Sequence, residues 1–589
     1  MNYRWTIWEP SDEEQVTIAR LAEELCISEP AARMLVHRGI ATALDARSYI
    51  RPSLCNLHDP FLMKDMDKAV NRLEHAIRYQ ERIMVYGDYD VDGTTAVALM
   101  YTFLKMLTSN VIYYIPDRYA EGYGISEKGI DTAEQEHCQL IVALDCGIKA
   151  IDKAQYAKQK GIDLIVCDHH TPGDTIPDCT AVLNMKRKDC DYPYKELSGC
   201  GVGFKLVQGY AITHGISEEQ LAHLLPLLAM SIASDVVPMT GENRILAYFG
   251  LEQLNKKPSV GIQAIRQLTG IQDKVVTISD LVFKFGPRIN ASGRMRSGLE
   301  AVKLLITDDA EFAEQQAKEI DSYNTERRNF DEETTQKALE ILEADPNNDF
   351  LRSTVVYGAG WHKGVIGITA SRLTEKYYRP TIVLTSSDQE DIISGSARSV
   401  ADFDIYTAID SCRDLLVNFG GHMFAAGLSM HLKDLPEFKR RFEQYVSMHI
   451  RQDQLAPTIQ VEQELAFSDI TPKFYNILKH LEPFGPDNPR PVFVTRNVIN
   501  NRYTKTVGKL NEHLRLDVTD RTAAIAGIAF GHGDKALHIQ NGNPVDLCYE
   551  LEENTFNHTT TIQMMVQDIK LCSTSEKPKV LQEDGAVLK

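Results

Sequence analysis

The sequence predicts an α/β fold built on a parallel sheet, and three observations carry that prediction. Short apolar runs alternate with helical runs between residues 82 and 167. The apolar runs are continuous rather than alternating with polar residues, as in strands covered on both faces. Acidic and imidazole residues follow the runs instead of interrupting them. In chain order, Ile83-Met84-Val85-Tyr86 is a strand and 94–107 a helix. Val111-Ile112-Tyr113-Tyr114-Ile115 is the second strand, followed by a helix over 126–136. Leu140-Ile141-Val142-Ala143-Leu144 is the third, followed by a helix over 149–160, and Leu164-Ile165-Val166-Cys167 is the fourth. Strands and helices in this order fold as a parallel sheet with helices on both sides.

Residues 11–55 carry the spacing of short amphipathic helices, and 245–307 read as mainly helical. The segment 308–345 holds 13 acidic and 4 basic residues, a net of −9, and reads as one long solvated connecting helix. A second α/β unit follows: a strand over 353–357, a helix over 365–376, a strand over 381–384 and a helix over 403–418. Gly420-Gly421-His422 then turns into another extended segment. From about Thr458 short strands and turns suggest a small β-barrel ending near Leu571, and 573–589 read as a polar tail. The expected boundaries are 1–55, 56–245, 246–345, 346–455, 456–572 and 573–589.

Composition narrows the function classes. The chain has 589 residues, enough for about three to five domains. Its 43% hydrophobic and 25% charged residues exclude global disorder. No charge-free apolar run reaches the ~18–20 residues of a membrane span. The first ten residues lack the core of a signal peptide, so the cytoplasm is the expected compartment and no membrane partner is expected. Eleven cysteines without a C-x-x-C pair argue against a zinc ribbon or a disulfide framework.

Function is written in the placement of the acids. Asp88, Asp90 and Asp92 follow the first strand, Asp145 the third, and Asp168, His169 and His170 the fourth. Parallel strands point their carboxyl ends to one edge, where open α/β sheets bind ligands. Asp235 ends another apolar run and can join them. Carboxylates packed this closely repel one another unless cations intervene. A mixed Asp/His set suits Mg²⁺ or Mn²⁺, and a site of this size suggests two ions and phosphoester hydrolysis. Two other readings fit less well. Asp88-Tyr89-Asp90-Val91-Asp92-Gly93 matches the start of an EF-hand loop, but Leu99 stands where its Glu belongs. Asp90-Val91-Asp92-Gly93-Thr94 matches a haloacid-dehalogenase signature, which leaves Asp168-His169-His170 without a role.

Four motifs, Tyr86-Gly87-Asp88-Tyr89-Asp90-Val91-Asp92-Gly93, Leu144-Asp145-Cys146-Gly147, Asp168-His169-His170 and Ala233-Ser234-Asp235-Val236-Val237-Pro238, occur in order. Further along stand Arg288-Ile289-Asn290-Ala291-Ser292-Gly293-Arg294, Asn324-Thr325-Glu326-Arg327-Arg328, Gly395-Ser396-Ala397-Arg398-Ser399 and Gly420-Gly421-His422-Met423-Phe424-Ala425-Ala426-Gly427. The ordered set, across roughly residues 56–570, resembles the DHH phosphoesterase family, and within it the exonucleases specific for single-stranded DNA. The resemblance implies a parallel-sheet DHH domain, a second α/β DHH-associated domain joined by a long helix, and a C-terminal OB-fold barrel that grips single-stranded DNA. It implies Asp90, Asp92, Asp145, His169 and Asp235 as ligands of two Mn²⁺ or Mg²⁺ ions, with Asp145 bridging. Asp88 and His170 complete or orient that site. It also implies 5′→3′ polarity, a place in repair and recombination, and a single-strand-binding protein and a helicase as partners.

An acidic chain of net charge −19 is an unusual DNA binder, but distribution matters more than the sum. Residues 281–303 carry Lys284, Arg288, Arg294, Arg296 and Lys303 against Glu300, a local +4, and Arg288 and Arg294 are candidate DNA contacts. His422, beside Gly420 and Gly421, marks a place where backbone amides can approach a phosphate. Ser396 and Arg398 share one strand face and can grip a terminal phosphate, with Arg118 closing the pocket from the metal edge. A hydrolase of short oligonucleotides or cyclic dinucleotides and a non-catalytic single-strand scaffold are the other classes. The extra barrel argues against the first and the intact acid set against the second.

Overall fold

The computed structural model describes residues 3–387, 389–556 and 559–572, so the tail expected over 573–589 lies outside the described residues. The chain divides into two compact units, one of residues 52–456 and 483–488, the other of 1–51, 457–482 and 489–589.

The first unit is organised by a five-stranded parallel sheet. Its spatial order is Val111–Tyr114, Ile83–Gly87, Leu140–Leu144, Asp163–Cys167 and Ala181–Leu183. Alternate residues of each strand enter two different cores. Ile83, Val85, Leu140, Val142 and Leu144 pack with the helices Val91–Lys105, Gly199–His214 and Leu225–Ser234. Met84, Tyr86, Ile141 and Ala143 pack on the other face with the helices Glu127–Gln135 and Ile151–Gln159. Both faces are dry, so the strands have no polar alternation, and each fully buried Val, Leu or Ile contributes about 1.5–3 kcal/mol. The register then fixes the functional edge. Gly87 pairs with Leu144, Leu144 with Cys167, and Cys167 with Leu183, so Asp88, Asp145, Asp168 and Asn184 step off four adjacent strands at one level. The chain adds its second strand on one side of Ile83–Gly87 and its third on the other, which makes the switch point of the sheet fall there.

Beyond Asp235 this unit is helical up to Ala310–Glu343, a helix of 34 residues. Its buried residues Ala313, Ala317, Ile320, Asn324, Asp331, Ala338 and Leu342 recur at helical spacing, while most of its other acids face solvent. The second sheet has the order Leu416–His422, Ala425–His431, Ile392–Arg398, Thr381–Ser386 and Thr354–Tyr357, with only the last pair parallel. The helix expected over 403–418 is shorter. Only Ile405–Asp410 is α-helical, and Leu416–His422 is an edge strand. Asn418, Gly420 and Gly421 are poor helix formers, and pairing with Ala425–His431 decides the conformation. Gly420-Gly421-His422 therefore sits in a strand, and the turn is Met423-Phe424. Gly421 is required by the hairpin itself, since a Cβ there would lie 2.4 Å from the Ala425 carbonyl oxygen.

In the second unit, Phe493–Asn500 pairs with Val545–Phe556 on one side and with His513–Thr519 on the other. Through Thr559–Leu571 and Ala524–Ala529 the ring closes, so the sheet is a barrel. The N-terminal helices Asp12–Leu25, Glu29–His37 and Ala43–Ile50 belong to this unit, and a strand Arg4–Ile7 pairs in parallel with Thr458–Val461. Among the described residues no helix is long and apolar enough to cross a membrane.

Candidate metal centre and anion pocket

The edge of the parallel sheet gathers the acids because the loops leaving it are short. Asp90 caps the helix Val91–Lys105, its Oδ1 accepting the Gly93 N–H at 3.0 Å. Asp145 leaves its strand in the left-handed region, φ 60°, while its N–H donates to the Cys167 carbonyl at 2.9 Å. Val236, next to Asp235, has φ 58°, which is rarer still for a β-branched residue. Such backbone costs about 1–3 kcal/mol per residue and persists where the surroundings enforce it. Close packing enforces it at Asp145: a Cβ on Gly199 would stand 2.5 Å from Asp145 Oδ1.

His169 Nε2 lies 3.3 Å from Asp145 Oδ1, 3.5 Å from Asp235 Oδ2 and 3.9 Å from Asp92 Oδ2. Three groups of ligand atoms lie within 4.8 Å of one another: Asp92 with His169 and Asp235, Asp88 with Asp90 and Asp145, and Asp145 with His169 and His170. Asp145 thus belongs to two of the three. Asp88 Oδ1, Asp145 Oδ1, Asp235 Oδ2 and both ring nitrogens of His169 are buried without a hydrogen-bond partner. Orphaned buried acceptors of this kind are expensive unless a cation takes them. Carboxylate oxygens with one or two imidazoles are a donor set that fits Mn²⁺ or Mg²⁺.

Electrostatics agrees. Burial, then the Asp90 charge, pushes Asp88 up to about 8. Burial, then Asp92, pushes Asp235 up to about 9. Asp90 and Asp145 are raised by burial and by their acidic neighbours. Burial lowers His169 and keeps its ring neutral, as a metal ligand must be. Asp168 has another task. It accepts the Ile148 N–H at 2.8 Å and the His170 Nδ1 hydrogen at 2.7 Å, which orients His170 with its Nε2 3.2 Å from the Tyr123 hydroxyl. Burial opposes charge on His170, but the Asp168 contact outweighs it and raises the ring's pKa.

A cavity of about 350 Å³ opens on this cluster, lined by Asp88, Asp90, Asp92 and Asp235 and by Tyr89, Arg118, Tyr123, Ser234, Asn290 and Arg294. Arg118 stacks on Tyr89 at 4.8 Å. Arg294 reaches the Gly364 carbonyl at 3.2 Å, and its own carbonyl accepts the Tyr119 hydroxyl at 2.7 Å. Burial, then the charges of Arg118, Arg327 and Arg398, holds Arg294 down to about 10. Arg398 donates to Ser396 Oγ at 2.9 Å, and burial lowers it too. A Cβ on Gly367 would lie 3.0 Å from both Arg398 and Ser396, so the helix Ile366–Tyr377 starts against this pair. The charges of Arg118, Arg327 and Arg398 all bear on Arg294, and none of the ion pairs among the described residues involves Arg294 or Arg398. A group of guanidinium side chains of this kind can receive an anion.

Comparison with known proteins bears on this arrangement. The model of the DHH family, N-terminal domain, matches residues 82–232, that of the DHHA1 domain residues 348–448, and that of the RecJ OB domain residues 461–568. The single-stranded-DNA-specific exonuclease RecJ of Bacillus subtilis is 35% identical over 96% of this chain and 70% of its own length. That of Salmonella typhimurium is 32% identical over 91% of this chain and 95% of its own. The chain belongs to the RecJ family. The crystal structure of RecJ from Thermus thermophilus in complex with Mn²⁺ superposes with a TM-score of 0.81, at 27% identity, covering 98% of this chain and 80% of that one.

Against this RecJ background the sequence expectations can be placed. Asp88, Asp90, Asp92, Asp145, His169, His170 and Asp235 all come together. Arg118 and Arg294 line the cavity, while Arg398, beside Ser396, is close enough for its charge to bear on Arg294. The basic strip expected over 281–303 is mostly neutralised. Arg288 pairs with Asp321 at 2.9 Å, Lys284 with Asp280, Lys303 with Glu300 and Arg296 with Glu326. Arg288 is thus a brace on the long helix, and Arg294 alone of that strip turns to the cavity. His422 is exposed on the edge strand, one strand away from Arg398, since both pair with Ala425. Tyr89, Tyr123, Ser234, Asn290 and Arg327 were not expected at the site. Asn290 was legible, because it stands one turn before Arg294 on the helix Gly286–Met295.

The raised carboxylates make stability depend on pH with a definite sign. Asp88 and Asp235 stand at about 8 and about 9 against an ordinary 3.8, so folding favours their protonated forms. That contribution is complete below the ordinary value and is lost as pH rises through 8 to 9. The melting temperature of EDTA-treated protein should fall between pH 6 and 8.5, and Mn²⁺ should restore it more at pH 8.5 than at pH 6. A flat metal-free profile, or a Mn²⁺ effect independent of pH, would contradict the clustering.

Proposed function

We propose that the protein is a Mn²⁺- or Mg²⁺-dependent exonuclease that hydrolyses single-stranded DNA from its 5′ end, serving repair and recombination by end resection. The observation that carries this reading is that Arg118 and Arg294 line one cavity with the carboxylate cluster, with Arg327 and Arg398 close enough for their charges to bear on Arg294. Two relatives above 30% identity are named single-stranded-DNA-specific exonucleases. When bound, the cations supply Lewis acidity and a water nucleophile at neutral pH. Asp88, Asp90, Asp92, Asp145, His169 and Asp235 hold them, and Asp168 fixes His170 beside them. Arg118 and Arg294 orient the phosphate nearest the cluster. Ser396 and Arg398 bind the terminal phosphate, which carries roughly one more negative charge than an internal one. That extra charge is what distinguishes an end from the middle of a strand.

The barrel supplies grip. Arg502, Lys505 and Arg515 line a groove of about 590 Å³ with the exposed ring of Tyr503, a combination of cations and a stacking face suited to single strands. A hydrolase of short oligonucleotides or cyclic dinucleotides has no use for this groove. A helicase that exposes the strand, a single-strand-binding protein that covers it, and a cytoplasmic setting complete the proposal.

Arg398→Ala should lower manganese-dependent cleavage of 5′-phosphorylated strands more than of 5′-hydroxyl strands, by about 1.5–3 kcal/mol in kcat/KM. Equal losses on both substrates, together with a lower melting temperature, would make Arg398 a structural brace and remove the 5′-end reading. Tyr503→Ala should weaken binding of a long single strand by about 1–3 kcal/mol while a dinucleotide is hydrolysed at the parent rate. Undiminished affinity for the long strand would exclude the groove as the DNA grip.

A further inference from the structure

Asp92 is buried, and three protein donors converge on its carboxylate. The Gly199 N–H reaches Oδ2 at 2.6 Å, and the Cys200 N–H reaches Oδ1 at 2.8 Å. Ser231 Oγ lies 2.7 Å from Oδ1 and 2.7 Å from Ser198 Oγ. A hydroxyl has one proton and two lone pairs, and an ionised carboxylate has no proton to give. With Asp92 ionised, as a metal ligand must be, Ser231 donates to it, and Ser198 then donates to Ser231. The Ser198 oxygen in turn accepts the Gly201 N–H at 3.1 Å, as the N-cap of the helix Gly199–His214. The direction of every proton in this chain is thereby fixed.

We propose that Ser198 and Ser231 are positioning residues for the metal centre, forming a one-way hydroxyl relay that makes Asp92 a monodentate ligand through Oδ2. Each carboxylate oxygen offers two lone pairs. Both on Oδ1 are taken, by Cys200 and Ser231, and one on Oδ2 is taken by Gly199. The single remaining lone pair is on Oδ2, the oxygen that faces His169 Nε2 at 3.9 Å. Ser231 stands on the helix Leu225–Ser234, which ends at Asp235, so one helix registers two candidate ligands of the same group. Removing a group that orients a metal ligand from behind typically costs about 10–100-fold in metal affinity or activity.

The inference rests on the metal centre proposed above, and the test separates the two. Mn²⁺ is titrated into the metal-free full chain, without DNA, and read by calorimetry and by the electron paramagnetic resonance of free Mn²⁺. Melting temperatures are recorded alongside. Ser231→Ala should weaken one Mn²⁺ site about 10–100-fold and leave the other near the parent value. Ser231→Thr, which keeps the hydroxyl, should recover most of that loss. Ser198→Gly, which keeps a competent N-cap but removes the donor to Ser231, should weaken the same site. Parent affinities at both sites in Ser231→Ala, or a loss at both sites in step with the melting temperature, would overturn the relay. If Ser231→Ala does not fold, parent affinity in Ser198→Gly overturns it. A parent protein that binds no Mn²⁺ would overturn the metal centre itself.

Discussion

Repulsion between carboxylates that the fold will not let apart governs this molecule. Asp145 sits in left-handed backbone, wedged against Gly199, with Asp92, Asp235 and Asp88 at close range. Water relieves the repulsion only in part, because Asp88, Asp92 and Asp145 are buried. Protons can relieve it, which is why Asp88 and Asp235 are pushed to about 8 and about 9. Divalent cations relieve it better, and they do so where a phosphodiester needs polarisation. The parallel register of four strands, the capped helix behind Asp90 and the strained turns at Asp145 and Val236 all serve to hold that geometry.

The arginines form the opposite half of the same problem. Arg294 is held below the ordinary arginine range by burial and by three neighbouring guanidinium groups. A strand end with its phosphates satisfies the acids through the cations and the arginines directly. An overall charge of −19 is then no obstacle, because much of the acidity lies on the solvent face of the helix Ala310–Glu343.

The acid cluster was legible in the sequence because continuous apolar strands reveal a parallel sheet, and such a sheet has one functional edge. Asp88, Asp145 and the Asp168–His170 run needed no structure to be put together. The conformations that aim them did not show. Nothing local marks Asp145 or Val236 as left-handed, since close packing imposes it. Arg327 belongs to the Asn324–Arg328 motif but gave no sign of its role, because its segment reads as a solvated connector and a charge count does not tell which face of a helix a residue occupies. The strand Arg4–Ile7 pairs with Thr458–Val461, more than 450 residues away, and such pairing leaves no local signal. The helix expected over 403–418 failed where strand pairing overrode the weak helical preference of Asn418, Gly420 and Gly421.

Asp145 as the shared ligand of two cations is the centre of the account, and anomalous diffraction from crystals soaked in Mn²⁺ tests it most directly. The account predicts two peaks. One falls within ligand distance of Asp88 or Asp90, the other within ligand distance of Asp92, His169 and Asp235, and Asp145 touches both. A single peak, or two peaks of which Asp145 touches only one, would contradict it.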